Sequence, residues 1–129
     1  MMLLALTLAF VGGAAGSMFR FWLSGVVAQQ FGETFPYGTL TVNVVGSWVI
    51  GFAAGWLAHH GNAAWASAVK VFVTVGFCGG LTTFSSFSLQ TWNLILSERW
   101  ISALANILGS TSLCLGAVAL GWDWAQRIF

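Results

Sequence analysis

Gly76-Phe77-Cys78-Gly79-Gly80-Leu81-Thr82-Thr83-Phe84-Ser85-Ser86-Phe87-Ser88 sits inside an apolar stretch running from about Ala66 to Leu96. That stretch is about ten residues longer than one membrane crossing requires. Near its middle, two adjacent glycines are followed by two threonines, all poor helix formers. The pattern predicts a helix broken near Gly79-Thr83, although a simple glycine kink would also fit it. Non-helical backbone at membrane depth survives where it is buried in protein, lines water or binds an ion. Carbonyls freed at such a break are ready cation ligands.

Outward from the break, the rest of the chain reads as membrane too. Of its 129 residues, 58% are hydrophobic and only 5% are charged, against about 25% charged in a soluble domain. Such a chain cannot clothe a water-soluble surface, and a net charge of +1 suggests no nucleic-acid partner. A first span runs roughly from Met2 to Val27. The segment Phe31 to Gly38, with Glu33 and the single proline Pro36, reads as a loop. A second span runs from about Thr39 to Ala58, and His59-His60-Gly61-Asn62 reads as the next turn. After the long third stretch, Glu98-Arg99 marks an exposed turn. A fourth span covers Trp100 to Trp124, with a short tail that includes Arg127. The fold class is an all-α membrane protein, and residues 1–129 form a single four-helix transmembrane unit. The N-terminus lacks a basic region and does not read as a cleaved signal peptide.

Small residues recur four apart: Gly12 and Gly16, Gly51 and Gly55, Gly76 and Gly80, Ser112 and Gly116. Such faces let membrane helices approach closely. With four spans, Lys70 and Arg127 fall on one side and Arg20 and Arg99 on the other. Two basic residues against two give almost no orientation signal. A chain without bias can insert both ways, and the two forms can pair as an antiparallel dual-topology homodimer.

Enzyme chemistry is disfavoured. The three acids, Glu33, Glu98 and Asp123, lie in loops or near ends and form no pair for acid–base work. Cys78 and Cys114 are far apart in apolar runs and read as buried thiols. After the break, Phe84 and Phe87 are three apart on one helix face, with Ser85 and Ser88 on a neighbouring face. Ring edges are partially positive and hydroxyls donate hydrogen bonds, so the pair of stripes suits a small hydrated anion. The phenylalanines could equally face lipid while the serines bond their own helix backbone. Asn43 is the sole amide of the second span, and Asn106, Ser110, Thr111 and Ser112 give the fourth a polar side. Arg20 is the one charge clearly within the first span, where an ionisable group is a functional candidate unless it snorkels to the headgroups.

These residues carry a resemblance. The chain resembles the Fluc (CrcB) fluoride channels of microorganisms over essentially its whole length. The likeness rests on Gly12-Gly13-Ala14-Ala15-Gly16 with Arg20, on Gly38-Thr39-Leu40 with Asn43 and Gly46, and above all on Gly76 through Ser85. It implies a passive, fluoride-selective channel in a bacterial inner membrane, built as an antiparallel homodimer with two pores. It also implies a structural sodium ion at the dimer centre, held by the carbonyls of Gly79 and Thr82. Phe84 and Phe87 would offer ring edges to fluoride, and Ser85, Ser86 and Ser88 would form a polar track. Asn43 would be a pore donor, Ser110 would add a hydroxyl, and Arg20 would sit near a vestibule. Relatives often have threonine at Ser86 and an acid at Gln90. Hydrogen fluoride crosses membranes and ionises inside the cell, so the trapped anion can leave passively, driven by the negative interior. The alternative is a small dual-topology multidrug-type transporter. That class needs a membrane-embedded acid in its first span, and this chain has none there.

Overall fold

The computed structural model describes residues 1–129. Four apolar helical spans are present, of 30, 24, 31 and 29 residues. Helix α1 is Met2–Phe31 and α2 is Tyr37–His60. The third span, Ala66–Leu96, is composite. It comprises α3 (Ala66–Lys70), a π-helical stretch at Val71–Phe77, α4 (Cys78–Leu81) and α5 (Phe84–Leu96). Helix α6 is Trp100–Ile128.

Three boundaries differ from the sequence reading, all because helices run further into the loops. The first loop shrinks to residues between Phe31 and Tyr37, so Tyr37 and Gly38 are already helical. His59 and His60 close α2 instead of forming the turn. His59 Nε2 lies 2.9 Å from Gln126 Oε1 and His60 Nδ1 lies 3.0 Å from the Trp56 carbonyl, so neither ring is left idle. The tail after Trp124 is also helical, with Arg127 paired to Asp123 one turn back at 2.7 Å. Chain reversal between α5 and α6 uses Glu98 at φ 59°, an uncommon backbone for a non-glycine residue.

Burial is the reverse of a soluble protein's. Only 21 of 129 residues are buried, and those include Thr39, Thr83, Thr91, Asn106 and Ser110. Large apolar side chains such as Phe10, Phe21 and Ile101 face outward. Lipid removes the hydrophobic reason to bury them, so small and polar groups make the interior.

Two seams hold the unit together. In the first, α1 packs on the third span. A Cβ at Gly12 would meet the Phe72 carbonyl at 2.5 Å, and one at Gly76 would meet Gly12 Cα at 2.9 Å. In the second, α2 packs on α6. A Cβ at Gly121 would strike the Trp48 carbonyl, and one at Gly55 would come within 2.8 Å of Ala125 Cβ. The expected pairs Gly12/Gly16, Gly51/Gly55 and Gly76/Gly80 therefore are packing faces. The Ser112/Gly116 pair is not one within the subunit. Ser112 is exposed and nothing lies within 4 Å of a Cβ at Gly116, because that face of α6 turns away from the other helices.

The π-helical stretch was not foreseen. Four of its seven residues, Val71, Val73, Thr74 and Val75, are β-branched, which weakens preference for the tighter α form. The wider coil closes with the Cys78 N–H donating to the Val73 carbonyl.

Candidate functional site

The break lies where the sequence placed it but is shorter. Gly79 and Gly80 stay in α4, and only Thr82 (φ −84°, ψ 158°) and Thr83 (φ −152°, ψ 110°) are extended. The reason is packing. Gly80 is wedged against the Gly13 carbonyl and Ser17 of α1, and the Ser17 hydroxyl reaches the Gly80 carbonyl at 3.5 Å. The helix therefore continues past the glycines, and its last bond runs from Thr82 N–H to the Cys78 carbonyl at 2.9 Å.

Asn43 of α2 then takes over. In a regular helix the Thr83 N–H would donate to Gly79. Here it donates to Asn43 Oδ1 at 2.7 Å, while Asn43 Nδ2 donates to the Thr83 carbonyl at 3.2 Å. One side-chain amide thus replaces both helical partners of Thr83, which would be costly to leave unpaired in a membrane. The Thr82 carbonyl accepts from Arg20 Nη1 at 3.3 Å, so Arg20 is turned inward and not toward headgroups. Thr83 restarts the helix as N-cap, its Oγ1 accepting from the Ser86 N–H at 3.2 Å.

Two cavities flank the break. A vestibule of about 1360 Å³ includes Arg20, Glu33, Ser85, Ser86, Gln90 and Arg99 in its wall. Gln90 Oε1 is buried there without a hydrogen-bond partner. A second cavity of about 480 Å³ includes Asn43, Gly79, Thr82, Phe84, Phe87 and Ser110. The residues singled out by sequence are thereby divided between two chambers. Ser88 joins neither; its hydroxyl donates to the Phe84 carbonyl at 2.9 Å, one turn back on its own helix. Phe84 and Phe87 stand with ring centroids 5.4 Å apart, yet Phe84 is 78% exposed.

Sequence reasoning missed Thr83, although a threonine just ahead of a helical run is an ordinary N-cap signal. It also gave Asn106 no role. Asn106 is 2% exposed; its Nδ2 donates to Thr91 Oγ1 at 2.9 Å, and Ser110 donates to its Oδ1 at 3.2 Å. Thr91 in turn donates to the Phe87 carbonyl at 2.7 Å. This chain of bonds ties α5, at the level of Phe87, to α6. Asn106→Leu should therefore destabilise the protein by roughly 1–3 kcal/mol, because Thr91 and Ser110 lose a buried partner. Thermal unfolding in detergent measures this, and adding Thr91→Val should recover part of the loss. An unchanged midpoint for Asn106→Leu would show that the bonds carry no net stability.

Known proteins resemble this chain over most of its length. A family model described as CrcB-like protein, Camphor Resistance (CrcB), matches residues 7–122. A fluoride-specific ion channel FluC from Opitutus terrae is 56% identical over 86% of this chain and 84% of its own length. Another protein of that name, from Methylocella silvestris, is 47% identical over 86% of this chain and 85% of its own. A third, from Paramagnetospirillum magneticum, is 45% identical over 92% and 93%.

Proposed function

This chain belongs to the CrcB-like family, and from that premise we propose that it is a passive, fluoride-selective channel of a bacterial inner membrane. It is not an enzyme. The observation that carries the reading is the 56% identity to a fluoride-specific channel across most of both chains. The multidrug-type alternative has no support: the first span holds Arg20 and no acid, leaving no group for proton exchange.

On this reading the ion has a route. Fluoride enters the vestibule beside Arg20, whose charge raises the local anion concentration. Hydroxyls of Ser85 and Ser86 replace its water. In the second cavity it meets the ring edges of Phe84 and Phe87 and the second N–H of Asn43, the first being spent on Thr83, and the Ser110 hydroxyl once its proton turns from Asn106 Oδ1. Beyond Arg20 every donor is neutral, so the ion is not trapped.

The working unit is an antiparallel homodimer. Supporting this, Phe84 lies open on one subunit, the Ser112/Gly116 face is unpacked, and the four basic residues are evenly divided between the two sides. A second copy would cover these surfaces and complete the walls around Phe84. A structural sodium ion at the centre is part of the same reading. The donor chemistry fits a monovalent cation: the Gly79 carbonyl lacks its helical donor because the Thr83 N–H goes to Asn43, and no carboxylate is near to balance a divalent charge. The Thr82 carbonyl has a second lone pair beyond the one given to Arg20. Arg20's charge opposes a cation there, so Gly79 is the stronger ligand.

Liposomes holding purified protein should release fluoride when a potassium ionophore relieves the charge, and should retain chloride. No fluoride release would sink the proposal. Two lysines added to the turn between α2 and α3 should fix one orientation. That form alone should be silent, and co-expression with an oppositely biased copy should restore flux. Full activity from one fixed orientation would exclude the antiparallel dimer.

A further inference from the structure

We infer that Thr83 is itself a pore residue: its hydroxyl forms the neck through which the anion passes from the vestibule to the cavity of the phenylalanines. The inference rests on the channel reading above and adds a residue that the sequence motifs did not single out for conduction.

Three observations meet at this residue. First, Thr83 is the one residue that lines both cavities. Every other candidate donor borders a single chamber or, like Ser88, neither. Ser85 and Ser86 face the vestibule, while Phe84, Phe87 and Ser110 face the second cavity. An ion moving between the chambers therefore has Thr83 beside it at the crossing. Second, its hydroxyl belongs to a connected cluster. Thr83 Oγ1 donates to Ser86 Oγ at 3.0 Å and lies 3.3 Å from Ser85 Oγ. A hydroxyl proton rotates freely about its C–O bond, so Thr83 can turn its donor from Ser86 toward an arriving anion. The Ser86 N–H still bonds Thr83 Oγ1 during that turn. Third, the position is held rigidly. Thr83 is 8% exposed, and Asn43 fixes both its N–H and its carbonyl. The oxygen is thus held in place, and only its proton has to turn when the charge arrives.

Thr83 also caps α5, so the test must separate capping from conduction. Serine, asparagine and aspartate all cap well, but they differ in what they present at the neck. Thr83→Ser keeps cap and hydroxyl and should conduct within about twofold of wild type. Thr83→Asn keeps the cap but replaces the compact hydroxyl with a bulkier amide in the neck, and should slow fluoride efflux by on the order of tenfold. Thr83→Asp keeps the cap but places a carboxylate in the neck, and flux should vanish. Size-exclusion profiles matching wild type certify each variant as folded.

A second measurement avoids folding altogether. Thr83→Cys is reconstituted first and then treated with a negatively charged thiosulfonate. Wild type treated alike controls for Cys78 and Cys114. Labelling should block flux in the variant alone. If wild type carries no fluoride, the channel reading itself fails. If wild type conducts, and the asparagine, aspartate and labelled cysteine forms conduct equally well, Thr83 is only a cap and the inference is wrong.

Discussion

Phe87→Ile should cut fluoride flux by one to two orders of magnitude or more while leaving a folded protein. The branched side chain keeps most of the bulk that packs between α5 and its surroundings. What it loses is the polarised ring edge. A contact to a charged partner is worth about 1.5–3 kcal/mol in a dry site, which corresponds to roughly a ten- to hundredfold change in rate. Phe84→Ile should act in the same direction, but for a further reason. Phe84 is 78% exposed in a single subunit, so its ring can line a closed path only when a second copy covers it. The two substitutions together therefore report on different things: Phe87 on the chemistry of the cavity, Phe84 also on the proposed completion of its wall by a second copy. Efflux from liposomes, with chloride flux in parallel, measures both. Wild-type rates in both variants would mean that the rings merely pack.

Asn43→Leu should damage the protein more broadly. Thr83 would lose the acceptor for its N–H and the donor for its carbonyl at once. Each orphaned group costs about 1–3 kcal/mol when no water can replace the partner. Destabilisation and loss of flux should appear together. Asn43→Asp separates the two effects. Its carboxylate can still accept from the Thr83 N–H, so much of the fold should survive. It cannot donate to the Thr83 carbonyl unless protonated, and when ionised it repels the anion. The aspartate variant should therefore be more stable than the leucine variant and still conduct poorly. A leucine variant that unfolds at the wild-type temperature and conducts normally would show that Asn43 holds neither the break nor the ion.

Much of the fold is legible in the sequence, and the reasons differ residue by residue. Span positions followed from apolar length, and three of four small-residue pairs did pack, because lipid leaves close approach as the main packing option. The break was legible from composition, but its extent was not. Gly79 and Gly80 looked like the weak point by propensity, yet α1 packs against Gly80 and keeps it helical. The chain opens instead at Thr82 and Thr83, where an amide forty residues away supplies replacement bonds. No local pattern announces such a partner. Asn106 escaped for the same reason, since its meaning depends on Thr91 in another helix. Ser88 shows the opposite error. Its spacing from Ser85 suggested a shared stripe, but its hydroxyl is satisfied by its own helix.

The π-helical stretch at Val71–Phe77 bears on how this family's sequences can change in length. A membrane helix ordinarily resists gain or loss of one residue, since the remainder rotates and every downstream face is misaligned. A π coil holds an extra residue against the neighbouring turns, because its bonds close over five residues in place of four. Losing one residue there would let the coil tighten to the α form while Gly76, Gly80 and the break keep their register against α1. The stretch is thus a slack in the thread, upstream of the parts that must not turn. Of all positions within the third span, this is where evolution has room to shorten the chain and still present the same residues to the ion.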